Sequence, residues 1–348
     1  MSREAEPMVS LIVPCRNERR HIRECLESLL ANDWAVARRE ILVVDGLSDD
    51  GTRDIVAGYA ARDAGIRLLD NPRRITSSAL NVGVAQARGS VVMLAGAHSE
   101  YPPSYISGLV AELVASGADG VGGVCTTCAG GSGAIARAIA VGLAHPFGVG
   151  NSWFRIGTRE PRWVDTVPFG CYRREVFERA GGFDEELVRN QDDEFNLRLL
   201  RRGGRLRLVP AVASRYYARA SLRQLARMYY QYGRYKPLVI RKVGAIMTLR
   251  QVVPAAFVLA LMASLAAGVL LPAARGIAAG IALAYAAATV VAALGTVRRH
   301  GVRLALGLLA VFPVLHFSYG LGFLIGLVRL PFRAHGLSQA ADAVPLSR

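Results

Sequence analysis

Two groups of acidic side chains stand out in this 348-residue chain. Asp45, Asp49 and Asp50 follow an apolar run at 41–44, and Asp192, Asp193 and Glu194 sit together at the start of a helical pattern. Basic groups stand at Arg16, two residues before Glu18, and at Arg73 and Arg74, with an isolated imidazole at His98. Carboxylates accept hydrogen bonds and protons, and guanidinium groups neutralise bound anions. The acids at 192–194 are stabilised as anions by their place at a helix start, and capping that helix is their simplest use. An Asp directly after a strand is, in the same way, a common turn residue.

The elements that would carry these groups alternate. The runs at 10–14 and 41–44 have the β-branched character of buried strands, and each ends in polar residues. Between them Ile22, Leu26, Leu29 and Leu30 recur at helical spacing. Further helices are predicted at 53–64, 77–87, 104–115, 174–179 and 194–202, and strands at 66–69, 91–94, 120–125 and 164–172. The alternation predicts an α/β fold with a mostly parallel sheet and helices on both faces. Ligands of such sheets bind at the carboxyl ends of the strands. The Gly- and Ala-rich stretch from 117 to 150 shows little pattern beyond its one strand, and 151–162 reads as a surface loop.

Composition divides the chain in two. Hydrophobic residues make up 52% and mean hydropathy is +0.28, both high for a soluble protein. The net charge of +15 is uneven. Residues 1–194 hold 21 Lys and Arg against 26 Asp and Glu, whereas 195–348 hold 21 against one, Asp342. Residues 218–250 are basic and amphipathic, with interleaved tyrosines that suit a headgroup layer. Apolar stretches at 252–271, 276–297 and 304–328 each match the ~20 residues needed to cross hydrocarbon. A basic surface followed by such stretches favours anionic lipid over nucleic acid as the partner. Pro313 and His316 interrupt the third stretch, which predicts a re-entrant segment or hairpin there. The polar N-terminus is no signal peptide, so the first part is expected in the cytoplasm. Five cysteines, with one Cys125-x-x-Cys128, make neither a disulfide framework nor a zinc site.

Val13-Pro14-Cys15-Arg16-Asn17-Glu18, Val43-Val44-Asp45-Gly46 with Ser48 and Asp50-Gly51-Thr52, Asn81, Ala97-His98, Phe169-Gly170 and Asp192-Asp193-Glu194 occur in the order of a known family. The chain resembles the family 2 inverting glycosyltransferases of GT-A type, in the membrane-bound bacterial exopolysaccharide branch similar to succinoglycan glucosyltransferases. The resemblance covers roughly the first two-thirds. It implies a GT-A (Rossmann-like) catalytic domain over 1–217, an interfacial segment at 218–250, a membrane region at 251–330 and a tail at 331–348. It also implies a multi-pass protein of the cytoplasmic membrane that moves a sugar from a nucleotide-sugar donor, a UDP-sugar by preference, to a polyprenyl-linked saccharide.

The residue roles that follow are those the resemblance implies. Asp45 accepts a hydrogen bond from the base, and Pro14, Arg16 and Glu18 flank the same pocket, a surface role for Arg16 being the alternative. Arg74 and Asn81 serve the diphosphate and nucleotide, unless Asn81 caps or braces its helix. Asp192 is the general base, with Gln191 in place of the family's Glu. Phe169, Gly170, Asp193 and Glu194 line the acceptor side. Trp153 and Trp163 either stack on a sugar or pack in the interior. The family's Asp-x-Asp, or Asp-Ala-His in this branch, binds a divalent cation, Mn²⁺ or Mg²⁺. Here it reads Gly96-Ala97-His98, so only His98 is left as a ligand. Two other readings stay open: transfer onto bare polyprenyl phosphate, and a catalytically impaired nucleotide-sugar-binding or scaffolding subunit.

Overall fold

The run around Ile12 forms β1 (Val9–Cys15) and the run before Asp45 forms β2 (Arg39–Asp45), paired in parallel with Val13 opposite Val43. In this computed structural model, which describes residues 6–246 and 248–333, β3 (Ile66–Asp70) and β4 (Val91–Leu94) extend the parallel set on either side. The crossovers are α1 (Ile22–Leu30), α2 (Thr52–Ala60) and α3 (Thr76–Gln86). Alternate side chains enter two cores. Leu11, Val13, Val43 and Met93 pack with Ile22, Leu26 and Leu29, while Ile12, Leu42, Val44 and Leu94 pack with Ala79 and Leu80. Burial on both faces is why these strands read as unbroken apolar runs.

Beyond β4 the direction changes. The chain adds β5 (Ser99–Glu100), α4 (Tyr105–Ser116) and β6 (Gly120–Cys128), and later α7 (Trp153–Ile156), β7 (Arg162–Val164), β8 (Cys171–Arg173), α8 (Glu175–Ala180), α9 (Gln191–Arg201) and β9 (Leu206–Tyr217). The sheet runs β3-β2-β1-β4-β8-β6-β9-β5, with β7 on β9. β8 lies antiparallel to both β4 and β6, so the sheet is mixed, parallel only in the half built by β–α alternation. The antiparallel pairing brings the amino end of β8 to the carboxyl end of β4, with Met93 opposite Cys171.

Two compact units divide the chain, one from residues up to Thr126 with Trp153–Tyr216, the other from Thr127–Ser152 with the chain from Tyr217 onward. In the second unit the patternless Gly/Ala stretch becomes α5 (Ala134–Leu143) and α6 (Pro146–Val149). It is joined by α10 (Leu222–Val243), α11 (Val253–Ala267), α12 (Pro272–Gly295), α13 (Val297–His300) and α14 (Val302–Arg333). The basic segment is therefore a helix, but its face carrying Gly233 lies on α14. A Cβ on Gly233 would meet the Tyr319 carbonyl at 2.0 Å, and one on Gly322 the Tyr230 carbonyl at 2.2 Å. Small residues let two helix backbones approach this closely.

Among the described residues α12 and the 302–331 part of α14 are long and apolar enough to cross a membrane. The first expected span is corrected. α11 has 15 residues, about 22 Å at 1.5 Å per residue, short of a ~30 Å hydrocarbon core. The expected break at Pro313 is also absent, since α14 runs through it as one helix. His316 instead bridges helices, its two ring nitrogens 2.9 Å from the Tyr285 hydroxyl and 2.8 Å from the Phe147 carbonyl. The tail from 334 lies outside the described residues.

Candidate active site

The carboxyl ends of β1 and β2 are cross-linked by their own loops. The Asn17 amide N–H donates to Ser48 Oγ at 2.7 Å, Asn17 Nδ2 to Asp49 at 2.7 Å, and the Asp49 N–H returns a bond to Asn17 Oδ1 at 3.1 Å. The Glu18 N–H donates to Thr52 Oγ1 at 2.9 Å. Pro14 fits a central strand because the ladder to β4 has already ended at Ile12–Leu94, so its missing N–H leaves no gap on that side.

Asp45 closes β2 fully buried. It accepts from the Ser48 N–H at 2.9 Å, from the Ser48 hydroxyl, from Cys15 Sγ at 3.5 Å, and from Arg53 Nη1 at 2.9 Å. Burial alone would push its carboxyl up, but the bonds from Ser48, Arg53 and Cys15 outweigh it and hold it below the usual carboxylate range. Arg53 also reaches Asp70 at 2.8 Å, a clamp across β2 and β3 that sequence reasoning missed. Burial pushes the Cys15 and Cys171 thiols up, and Cys25 to about 12, so these cysteines are packing groups rather than nucleophiles.

Several expected contacts resolve into internal bonds. Asn81 donates to the Phe183 carbonyl at 2.8 Å and to Glu185 at 2.9 Å, and accepts from the Phe183 N–H at 2.7 Å. Its amide braces the 181–185 turn rather than its own helix. Arg73 pairs with Glu185, leaving the exposed Arg74, with φ of 59°, as the cation there. Arg16 lays its aliphatic stem over Gly46, and its Nε is buried with no hydrogen-bond partner among the described residues. Glu194, expected on the acceptor side, is buried and holds Arg198 at 2.7 and 3.0 Å. Gly170 packs tightly: a Cβ there would strike the Tyr172 ring at 2.4 Å. Both tryptophans carry guanidinium groups on their rings, Arg162 on Trp153 at 3.5 Å and Arg205 and Arg207 on Trp163 at 4.9 and 5.0 Å.

α9 opens at Asn190, in the left-handed region, so Asp192, Asp193 and Glu194 fill its first turn. Asp192 is exposed and accepts from the Asp193 N–H at 2.9 Å. Its charge bears on the buried Tyr172 hydroxyl, which burial first and Asp192 second push up, and which donates to Asn196 at 2.7 Å. Tyr172 lies on β8, three strands from β2, and pairs with Val92 of β4, which faces Ser10 of β1 and through it Glu40 of β2, five residues before Asp45. Five non-glycine residues among those described have positive φ: Asn17, Leu47, Arg74, Phe169 and Asn190. Each stands within two residues of a site candidate, and strain of this kind gathers at functional sites.

The cation position is altered by more than one residue. A Cβ on Gly96 would meet Phe169 Cε1 at 2.7 Å and Cζ at 2.9 Å, so the phenyl ring fills the space a side chain at 96 would need. The Gly96 N–H donates to the Tyr101 hydroxyl at 2.6 Å. Glu18 is 3.6 Å from His98 Nδ1, and no group of three His, Cys, Asp or Glu among the described residues converges to hold a metal ion. With the side-chain space at 96 filled by Phe169, the motif keeps His98 alone, and Glu18 comes from a different loop, so these residues do not fit a cation held by that motif.

A half-parallel sheet whose carboxyl edge carries these loops, closed by an antiparallel half, is the architecture of GT-A glycosyltransferases. The chain belongs to glycosyl transferase family 2, whose family model matches residues 10–181. It is 34% identical over 71% of its length to the succinoglycan biosynthesis protein ExoA of Rhizobium meliloti, covering 74% of that protein. A dolichyl N-acetyl-alpha-D-glucosaminyl phosphate 3-beta-D-2,3-diacetamido-2,3-dideoxy-beta-D-glucuronosyltransferase of Methanococcus voltae is 29% identical, over 67% of this chain and 74% of its own. Among solved structures, the mannosyltransferase PcManGT of Pyrobaculum calidifontis, in complex with GDP-Man and Mn²⁺, shares the fold with a TM-score of 0.58 at 22% identity. That match covers 90% of this chain and 88% of the other.

Proposed function

We propose that this glycosyltransferase moves a sugar from a nucleotide-sugar donor, with inversion, to a hydroxyl of a polyprenyl-linked saccharide at the cytoplasmic face of the membrane. The relatives support the acceptor class: one takes part in succinoglycan biosynthesis, and the name of the other describes a dolichyl-linked acceptor. The two apolar helices tether the enzyme where such a lipid diffuses. The nucleotide lies along the welded β1 and β2 loops, with Asp45 near the base, Pro14, Arg16 and Glu18 flanking the same pocket, and Arg74 on the diphosphate side.

In a single displacement the acceptor oxygen bonds to the anomeric carbon as the bond from that carbon to the diphosphate breaks. Asp192 takes the hydroxyl proton, and the nucleoside diphosphate leaves with the bonding electrons. The observation that carries this assignment is the contrast within α9: Glu194 is buried against Arg198, whereas Asp192 is exposed in the first turn with its charge acting on the Tyr172 hydroxyl. Asp192→Asn is expected to lower turnover at least a hundredfold, with donor binding unchanged. The assay is transfer of labelled sugar to lipid-linked saccharides, with a parallel binding titration. Near-normal turnover removes Asp192 from the mechanism. Donor binding without transfer to any acceptor by the unaltered enzyme favours the impaired-subunit reading.

A further inference from the structure

The family's cation motif has lost its first carboxylate to a glycine, and the loss is built into the packing. Phe169 occupies the direction of the missing side chain and is held there from three sides. Its carbonyl accepts from the Tyr105 hydroxyl at 3.3 Å, its ring stands edge-on to Tyr101 at 6.0 Å, and Tyr101 in turn holds the Gly96 amide. A carboxylate at 96 has no room in this arrangement, so the charge of a bound diphosphate must be met elsewhere.

An imidazole and a guanidinium share one ring next to this motif. His98 directly precedes β5, and the β5–β9 register sets Ser99 opposite Tyr216. The imidazole packs against the Tyr216 ring at 5.6 Å. Against the same ring, at 5.2 Å, lies the guanidinium of Arg155, presented by α7 and also resting on Phe154 at 5.2 Å. Stacking on aromatic faces holds a guanidinium plane in place, and a planar fork of donors suits two phosphate oxygens at once. The residue lies in the stretch the sequence showed only as a loop. Nothing in its immediate sequence distinguishes it from Arg159 or Arg162; only the fold brings it to the ring that His98 also packs against.

We propose that the donor's diphosphate is bound by Arg155 and His98, gathered on the Tyr216 ring, and that nucleotide binding needs no divalent cation. This rests on the transferase reading above. The charge compensation that a motif-held metal gives elsewhere is then carried by side chains, with Arg155 as the cation, His98 as a hydrogen-bond donor and Tyr216 as the residue that positions both.

The test is calorimetric titration of the full chain in detergent with UDP, GDP, dTDP and CDP, each with EDTA and again with Mn²⁺. For the nucleotide that binds best, Kd is expected to agree within twofold between the two conditions. Arg155→Met is expected to weaken binding at least tenfold and to flatten its salt dependence, with Arg155→Lys intermediate and the melting temperature of both unchanged. A tenfold or greater tightening by Mn²⁺ overturns the proposal, and so does an Arg155→Met variant that binds like the unaltered chain. Should Arg155→Met fail to fold, the lysine variant and the comparison of EDTA with Mn²⁺ on the unaltered chain still decide. Failure of all four nucleotides to bind in either condition refutes the transferase reading itself, and this inference with it.

Discussion

Placing a methyl group on Gly96 tests whether Phe169 fills the space of the absent carboxylate. The new Cβ would lie 2.7 and 2.9 Å from two ring carbons and 3.2 Å from Ser99 Oγ. Contacts between carbons are comfortable only near 3.5–4.0 Å, so the ring must move by several tenths of an ångström or more. Phe169 is hemmed in by Tyr101 and the Gly96 backbone, and overpacking of this kind costs about 1–3 kcal/mol. Removing the ring by Phe169→Ala costs a similar amount by itself, because the ring is only partly buried against the core. The double variant removes the clash, so its loss should be smaller than the two single losses added, by about 1–2 kcal/mol. Phe169→Gly adds a second readout. At φ of 44° a glycine escapes the roughly 1–2 kcal/mol that a side chain costs in the left-handed region, so it should be less destabilised than Phe169→Ala. Denaturation in detergent of the unaltered chain, the single variants and the Gly96→Ala, Phe169→Ala double variant measures these terms. Strict additivity of the two substitutions would refute the steric account.

Asp45→Asn should destabilise at neutral pH by about 3 kcal/mol, since it leaves Arg53 with one carboxylate fewer and a buried position without its charge. The folded carboxyl titrates below its ordinary value of 3.8, so its contribution is present above that value and disappears as pH falls through the depressed one. Stability curves of variant and unaltered chain should therefore converge on acidification; a constant gap down to strong acid would contradict the assignment. Glu194→Gln should lower stability by about 2–4 kcal/mol through the buried pair with Arg198, while Kd for the nucleotide stays within twofold. A selective loss of binding with unchanged melting would return Glu194 to the site. Gly233→Leu should force α10 away from α14, seen as increased protease cleavage near residues 217–222; unchanged cleavage would show the two helices adjust without separating.

What the sequence could disclose follows the range of the forces involved. The parallel half of the sheet was legible because its strands are buried on both faces and its crossover helices repeat at helical spacing, both local signals. β5, β7 and β8 have two or three residues each, too short for any period, and they exist only through partners as distant as β9. α5 and α6 hid in a Gly/Ala stretch for a related reason. Their small residues are chosen by neighbours elsewhere in the chain, as where a Cβ on Gly142 would meet Val311 Cγ1 at 2.6 Å. The site divides in the same way. Motif order singled out Asp45, His98 and Asp192 as candidates, but it could not show the bonds of Asn81 to the 181–185 turn, nor that Arg53 closes over Asp45. The loss at Gly96 was visible as one missing carboxylate. Its consequence was not, because it depends on Phe169, 73 residues further along, reaching that spot in a strained conformation. Glycine at 96 and phenylalanine at 169 are therefore one structural change rather than two. Restoring the acid alone, by Gly96→Asp, should yield a destabilised protein rather than a metal site, because the carboxylate would enter space the ring already occupies.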